Sequence, residues 1–165
     1  METLAWIGLG SNLGDRQALL GQALMSLEAR LGKAWRLSSL YESEPWGFSS
    51  PNWFLNQVAV FVTPLPADSV LGILLGVERG MGRRRPEAGT RYSSRPIDID
   101  LLMLGQQRFE KQGLEIPHPR LHLRRFVLEP LCELEPGLRH PSLGRSMAEL
   151  LEQCPDPSRC QRVIP

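Results

Sequence analysis

Two aspartates separated by one residue, Asp98 and Asp100, have the type and spacing that could carry chemistry. From residue 97 onward the chain alternates apolar and acidic residues and then becomes wholly apolar, which predicts a strand with both acids on one face. At about 6 to 7 Å, two carboxylates repel by about 2.5 kcal/mol at an effective dielectric of about 20. A bound cation would remove this cost, and paired carboxylates without His or Cys favour Mg2+ that also binds substrate phosphates. The core face of the strand would carry Ile97, Ile99 and Leu101.

Arginines are concentrated just before this strand. Between residues 78 and 95, six arginines stand against two acids, although the net charge of the whole chain is only +1. The planar guanidinium group binds phosphate oxygens in pairs, so an arginine-rich loop leading into two metal-binding acids favours phosphoryl transfer from Mg-ATP. Each feature alone has an ordinary explanation, namely an exposed edge strand for Asp-x-Asp and a solvated surface for the arginines. The six arginines are Arg79, Arg83, Arg84, Arg85, Arg91 and Arg95.

Length and composition indicate one ordinary domain over residues 1–165. The hydrophobic fraction of 42% is enough for a substantial core. No basic leader with a long apolar segment and no membrane-length apolar run is visible, so we expect a soluble cytoplasmic protein without membrane contacts. The three cysteines lack Cys-x-x-Cys spacing and predict free thiols.

The order of predicted elements indicates the fold class. Strands over residues 4–10, 35–42, 54–62 and 97–104 alternate with helices over residues 15–31 and from about 66 to 80. Strand, helix, strand, strand, helix, strand predicts an α+β protein of the ferredoxin-like (split βαβ) class, a mostly antiparallel sheet with helices packed on one side. Residues 108–115 could add a strand and residues 146–153 a last helix. The glycines at residues 8–14 fit neither the dinucleotide fingerprint nor a P-loop.

Two polar residues have competing interpretations. Asn56 lies on the same predicted face as Phe54 and Val58, and its amide needs a partner there. That partner is either neighbouring backbone or a flat heterocyclic ligand. The prolines on both sides of His118 prevent the helix that would align it with His122 on a metal, so His118 is better suited to donate to phosphate beside Arg124.

Several separated stretches together resemble one family, the 6-hydroxymethyl-7,8-dihydropterin pyrophosphokinases of folate biosynthesis. The most specific are Arg-Pro-Ile-Asp-Ile-Asp-Leu-Leu at residues 95–102 and Pro-His-Pro-Arg at residues 117–120. Gly-Ser-Asn-Leu-Gly at residues 10–14 and Phe-Leu-Asn at residues 54–56 match in the right order. The resemblance covers most of the chain.

The resemblance implies transfer of pyrophosphate from ATP to the hydroxymethyl group of the pterin, with release of AMP. It implies that two Mg2+ ions are held by Asp98 and Asp100, and that these acids act in catalysis with Arg83 and Arg95. Phe54 and Phe126 would sandwich the pterin ring. The residues implied to bind ATP are Glu78, Arg85, Arg91, Tyr92, Leu101, His118 and Arg124. Those implied to bind pterin are Ser43, Glu44, Trp46, Phe54, Asn56 and Phe126.

Some features stay open at this point. Tyr92 stands where the family commonly has tryptophan and Ser93-Ser94 replace a usual Gly-Pro, so loop closure would differ in stiffness. The proton of the pterin hydroxyl could go to Asp98 or to water. A monomer that binds small molecules and no nucleic acid is expected. The alternatives are a non-catalytic ferredoxin-like RNA-binding module, in which the arginines would follow a phosphate backbone, and an ordinary Mg-dependent kinase or nucleotidase.

Overall fold

A six-stranded antiparallel sheet is the centre of the computed structural model, which describes residues 1–82, 94–111 and 113–164. The strands of this sheet are β1 (Thr3–Ser11), β2 (Arg36–Leu37), β3 (Tyr41–Ser43), β4 (Phe54–Thr63), β5 (Asp98–Leu104) and β8 (Cys160–Arg162). A separate hairpin consists of β6 (Phe109–Lys111) and β7 (Leu114–Ile116). The helices are α1 (Arg16–Leu31), α2 (Ala67–Gly80), α3 (Arg125–Leu134) and α4 (Met147–Glu152), with a short 3-10 helix at Leu121–Leu123.

The strand order confirms the predicted fold class. Along the sheet the order is β5, β1, β4, β3 and β8, while β2 pairs with another part of β4. If β2 and β3 are taken as one interrupted second strand, the first four positions read fourth, first, third and second. This is the arrangement of the split βαβ plan, with all pairings antiparallel.

Local signals explain the boundaries of the first helix. The side chain of Asp15 accepts a hydrogen bond from the backbone N–H of Ala18, and Gly32 follows the last residue with a φ of +89°. An Asp cap satisfies an orphan donor of the first turn, and glycine adopts the left-handed region without a Cβ penalty. Both features were predicted from the sequence.

The sheet is covered on both faces, which differs from the expectation that the helices gather on one side. One core contains Ile7, Leu27 and Leu74, where α1 and α2 pack on the sheet. The other contains Trp6, Val58 and residues of α3 and α4. The reason is that the central strands are apolar at successive positions, and such strands need cover on both faces.

One predicted strand, residues 35–42, is split into β2 and β3. The hydroxyl of buried Ser38 accepts the backbone N–H of Val58 at 2.9 Å, and the side chain of Gln57 donates to the carbonyl of Ser38 at 2.9 Å. Side chains therefore replace part of the regular ladder at this point. Local polar competition of this type interrupts strands without an obvious sequence signal.

Helix α3 was not predicted, since Pro130 lies inside it. A proline in a helix removes one backbone donor. Burial of four apolar residues on one face outweighs that loss, because tertiary packing supplies most of the stability of a short helix. These residues are Val127, Leu128, Leu131 and Leu134. Within the described ranges, no helix has the length and apolar character needed to cross a membrane.

Candidate active site

Two glycines of β1 form the floor of a trough between the acids of β5 and the polar end of β4. Gly10 pairs with Asp98 on one side and with Asn56 on the other, and Gly8 pairs with Asp100. A Cβ on Gly10 would lie 3.3 Å from Oδ1 of Asn56, closer than most real Cβ contacts. The absence of a side chain at Gly10 leaves room for a ligand above the backbone, whereas at Gly8 the side chain of Leu102 packs over the backbone, 3.4 Å from where a Cβ would lie.

The two acids lie on the predicted face of β5. Ile97, Ile99 and Leu101 are buried in the core beneath α1 and α2, which leaves Asp98 and Asp100 on the opposite face. Burial raises the pKa of Asp100, the charge of Asp98 raises it further, and the Arg124 guanidinium opposes both effects. Ionised carboxylates this close need a positive partner, as a divalent cation would supply.

No cluster of three or more His, Cys, Asp or Glu side chains with metal-binding geometry occurs among the described residues. The site therefore offers two carboxylates and leaves further ligand positions to other groups. This donor set fits Mg2+, which is usually bound through one or two carboxylates, waters and substrate phosphates. It does not resemble a closed structural zinc site.

Glu78 stands behind the acids, at the end of α2. Its side chain is only 3% exposed, and Oε2 accepts the backbone N–H of Ile99 at 2.8 Å. The hydrogen bond fixes β5 between the two aspartates, and the charge of Glu78 adds to the field that raises the pKa of Asp100. The resemblance implied that Glu78 binds ATP, whereas in the structure this hydrogen bond of Glu78 is with β5, the strand that carries the two aspartates.

Arg95 lies at the entrance to β5, where the arginine-rich stretch meets the trough. Its Nε is buried, makes no hydrogen bond within the described residues, and lies 3.9 Å from Oδ2 of Asp98. Its guanidinium carbon also lies 5.5 Å from the centre of the Phe54 ring. A half-buried guanidinium whose Nε has no hydrogen-bond acceptor among the described residues is suited to binding an anionic oxygen.

Asn12 holds Arg95 in place and was missed as a site residue by the sequence reasoning. Oδ1 of Asn12 accepts the backbone N–H of Arg95 at 2.7 Å, and Nδ2 donates to Oγ of Ser94 at 2.9 Å and to the carbonyl of Asn52 at 3.2 Å. Asn12 is 2% exposed. The only sequence signal was its place in the Gly-Ser-Asn-Leu-Gly stretch, which gives no partner.

The contacts of Asn56 fit both partners that the sequence left open, neighbouring backbone and a flat heterocyclic ligand. Its Nδ2 donates to the carbonyl of Tyr41 at 3.2 Å and to Oγ of Ser43 at 2.8 Å. Both amide hydrogens are thereby used on β3, and Oδ1 has no partner among the described residues. The oxygen faces the space above Gly10, where a ligand N–H could reach it.

Aromatic residues stand on both sides of the trough. Phe54 extends from β4 and contacts Phe48 edge to face, with 6.1 Å between ring centres. On the other side, the Arg124 guanidinium lies 4.6 Å from the Trp46 ring centre and 5.6 Å from that of Phe126. These cation–π contacts bring the loop after β3 against the start of α3.

A cavity of about 760 Å3 opens beside the acids. Leu71 and Leu75 of α2, Leu101 of β5 and the β6–β7 hairpin line it together with Asp100 and His118. Burial and the charge of Arg124 lower the pKa of His118 to about 4, so its imidazole is neutral near pH 7. Nδ1 of His118 accepts the N–H of Arg120 at 3.1 Å, which leaves the proton on Nε2 as a donor.

The family model of 7,8-dihydro-6-hydroxymethylpterin-pyrophosphokinase (HPPK) matches residues 6–136. This chain belongs to the HPPK family. As an HPPK it is an enzyme, a pterin pyrophosphokinase. The alternative of a non-catalytic RNA-binding module is therefore set aside.

Similar proteins carry the name 2-amino-4-hydroxy-6-hydroxymethyldihydropteridine pyrophosphokinase. The chain is 43% identical to the one from Porphyromonas gingivalis over 139 residues, or 84% of this chain and 94% of that protein. It is 36% identical to the one from Methylorubrum extorquens over 162 residues, or 98% of this chain and 99% of that protein. The enzyme from Bacillus subtilis is 36% identical over 135 residues, which is 81% of this chain and 79% of the relative.

Solved HPPK-DHPS structures share the fold of this HPPK. An HPPK-DHPS in complex with substrates has a TM-score of 0.74 at 14% identity, covering 93% of this chain and 44% of that one. The wild-type HPPK-DHPS of Plasmodium falciparum has a TM-score of 0.71 at 16% identity, covering 93% of this chain and 43% of the other. The chain thus spans less than half the length of these two solved chains.

The structure brings together most of the residues that the HPPK resemblance implicated. Around the trough and the adjoining cavity lie Ser43, Trp46, Phe54, Asn56, Glu78, Arg95, Asp98, Asp100, Leu101, His118, Arg124 and Phe126. Glu44 differs from this set, because the contact of its carboxylate is with the backbone N–H of Arg159. Arg83, Arg85, Arg91 and Tyr92 lie outside the described residues.

Proposed function

We propose that this HPPK transfers the β- and γ-phosphates of ATP as one pyrophosphoryl group to the hydroxymethyl oxygen of 6-hydroxymethyl-7,8-dihydropterin. The single observation that carries the proposal is the trough itself. Its acid pair lies between a cavity large enough for a nucleotide and an aromatic, amide-bearing site suited to a flat heterocycle. A one-substrate nucleotidase has no use for the second site.

ATP would occupy the 760 Å3 cavity, with its base against Leu71, Leu75 and Leu101. The triphosphate would then extend over Asp98 and Asp100 toward Arg95. His118 and Arg124 would donate to phosphate oxygens from the other side, His118 through its Nε2–H. Apolar walls with a few convergent polar groups are typical of small-molecule sites. The expected roles of Arg83, Arg85, Arg91 and Tyr92 in ATP binding stay predictions.

Asp98 and Asp100 would hold two Mg2+ ions, which when bound neutralise the triphosphate charge that builds up during transfer. The raised pKa of Asp100 is consistent with this assignment, because burial first and then the charges of Asp98 and Glu78 disfavour its ionised form, and Arg124 and Arg95 offset these effects only in part. Glu78 would hold the acids in register through Ile99. Little covalent work is left to the protein, so positioning and electrostatics supply the catalysis.

The pterin would lie between the rings of Phe54 and Phe126. Oδ1 of Asn56 and the backbone of residues 43–46 would bind its polar edge, with Ser43, Glu44 and Trp46 shaping that side. The pterin oxygen would attack the β-phosphorus, the bond from that phosphorus to the oxygen bridging to the α-phosphorus would break, and AMP would leave. The hydroxyl proton would pass to water or to Asp98. We also propose that this one-domain chain works as a monomer in the cytoplasm.

The test is to incubate the purified protein with ATP, Mg2+ and the pterin alcohol and to separate the nucleotides. AMP must appear in step with pterin consumption and must be absent when either the pterin or Mg2+ is omitted. Formation of ADP would instead indicate transfer of a single phosphoryl group. Pterin-independent hydrolysis of ATP would indicate a nucleotidase and refute the proposal.

A further inference from the structure

Residues 154–162, here called the 154–162 segment, follow α4 and lie beyond residues 6–136 matched by the family model. The segment contains β8, which pairs with β3 so that Cys160 stands opposite Ser43. The next residue, Val163, donates its backbone N–H to the carbonyl of Leu40 at 2.8 Å. A regular strand therefore anchors the segment beside the start of the proposed pterin loop.

The segment also binds the first residue of that loop at two points. The backbone N–H of Glu44 donates to the carbonyl of Arg159 at 3.1 Å. Oε1 of Glu44 in turn accepts the backbone N–H of Arg159 at 2.6 Å. A charge-assisted pair of this kind fixes the direction in which the chain leaves β3 and enters the loop that carries Trp46.

The same segment supplies the cap that α3 lacks. Arg124, at the N-cap position of α3, makes no side-chain capping hydrogen bond. Asp156 is 5% exposed, and its Oδ2 accepts the backbone N–H of Arg125 at 3.0 Å. Nε of Arg125 donates to the carbonyl of Asp156 at 3.2 Å, and Oδ1 of Asp156 accepts the N–H of Ser158 at 2.9 Å. A carboxylate at a helix N-terminus both satisfies an orphan donor and complements the helix dipole.

Positions 156 and 159 thus bind the two arms of the proposed pterin site. One arm is the loop with Glu44 and Trp46, and the other is the start of α3 with Arg124 and Phe126. The arms meet where Arg124 lies 4.6 Å from the Trp46 ring centre. Between them and the segment is a small cavity of about 370 Å3, so the arms could shift if the segment were released.

We propose that the 154–162 segment is a positioning element for the pterin site, with Asp156 as its main positioning residue. This rests on the proposed function, because it concerns how that site binds the pterin. Asp156 touches neither substrate in this arrangement and acts through Arg125 and its neighbours. The cavity proposed for the ATP base is lined by other elements, and of the proposed phosphate contacts only Arg124 lies on an arm that the segment binds, so the effect falls mainly on the pterin.

The test is Asp156→Ala, with Kd measured for a non-hydrolysable ATP analogue with Mg2+, and then for the pterin in the presence of that analogue. We expect the pterin Kd to rise about tenfold, the size of effect of losing a helix cap. The Kd of the analogue should stay within about twofold. Asp156→Asn, which keeps one carbonyl acceptor, should restore part of the pterin affinity.

The matched control is Glu152→Ala, which removes an exposed carboxylate at the end of α4 and should change neither Kd. Helix α3 should stay docked in Asp156→Ala, because Leu128 and Leu131 remain buried and the Tyr41 hydroxyl still donates to Glu133 at 2.7 Å. A merely structural role of Asp156 predicts a lower melting temperature with unchanged pterin affinity. That result, or an equal loss of affinity for both ligands, would overturn the inference.

Hydrogen exchange on the unmodified protein gives a second measurement if Asp156→Ala does not fold. Binding effects are reciprocal, so pterin added to the analogue-bound protein should slow exchange of the backbone amides of Glu44, Arg125 and Arg159. Unchanged exchange at these amides while the pterin binds would overturn the inference. Failure of the unmodified protein to bind the pterin at all would instead refute the proposed function.

Discussion

Replacing Asn12 with alanine tests how the site is assembled. The substitution removes three side-chain hydrogen bonds, of which the one to the backbone N–H of Arg95 is the shortest at 2.7 Å. Water can replace the bond to the exposed residue Asn52, and Ser94 can still bond to Ser50, whose oxygen is 3.2 Å away. The N–H of Arg95 has no such substitute among the described residues.

The expected magnitude follows from that unsatisfied donor. A buried donor left without a partner costs about 1 to 3 kcal/mol, and the half-buried N–H of Arg95 should lie toward the lower end of that range. For a chain of this length, each kcal/mol corresponds to about 2 to 4 °C in melting temperature. We therefore expect Asn12→Ala to melt about 2 to 12 °C below the unmodified protein. The backbone N–H of residue 12 would still donate to the carbonyl of Arg95 at 3.2 Å, but without the side-chain bond Arg95 would be held less firmly beside Asp98. We therefore expect kcat/KM for AMP formation to fall by about 10- to 100-fold.

The assay combines thermal unfolding by circular dichroism with steady-state kinetics at a temperature well below both transitions. The matched control is Asn52→Ala, which makes the same chemical change at an exposed position of the same junction. A melting temperature within 1 °C of the unmodified protein would contradict the hydrogen-bond reasoning. A normal kcat/KM despite a lowered melting temperature would show that Arg95 does not depend on Asn12 for its position.

Three further changes test the other parts of the site and the fold. Asp100→Asn should lower kcat by at least about 100-fold. The stability of the metal-free protein should stay equal or rise, because the repulsion between Asp98 and Asp100 is relieved. If Asp100→Asn is as active as the exposed control Asp68→Asn, the metal assignment is refuted. Phe126→Ala should weaken pterin binding by about 1 to 3 kcal/mol, measured by calorimetry, with ATP affinity unchanged; unaltered pterin affinity would place the ring elsewhere. Burial and the neighbouring His122 lower the pKa of His140 from its ordinary 6.5, so the unfolded chain takes up the proton first and stability should fall as pH drops below about 6.5. His140→Asn keeps an acceptor for the two backbone N–H groups that His140 binds in the following turn. In urea unfolding it should reduce the pH dependence of the free energy of unfolding by up to about 1.4 kcal/mol per pH unit. An unchanged pH dependence would show that another group titrates.

The sequence predicted the elements whose signals are local. The alternation around Asp98 placed both acids on the correct face, and the cap at Asp15 gave the start of α1. The order of strands and helices then led to the ferredoxin-like arrangement. Such features are predictable because residues a few positions apart determine them.

The features that were missed depend on distant partners. Asn12 and Arg95 are 83 positions apart, and Asp156 caps a helix that begins 31 positions earlier. A lone Asn or Asp carries no indication of its partner, so neither was recognised as part of the site. Helix α3 was missed for a similar reason, because packing on the sheet overrides the unfavourable Pro130.

The face of the sheet that carries the acids also carries the α3–α4 core, and this has a consequence for engineering. Val58 and Leu102 belong to that core. Each is the next residue on the same face of its strand, Val58 after Asn56 on β4 and Leu102 after Asp100 on β5. Repacking that layer to raise thermostability would therefore risk displacing reactive groups by fractions of an ångström. Directed evolution for heat resistance should find tolerated substitutions mainly under α1, on the reverse face and away from the α2 residues that line the proposed ATP cavity.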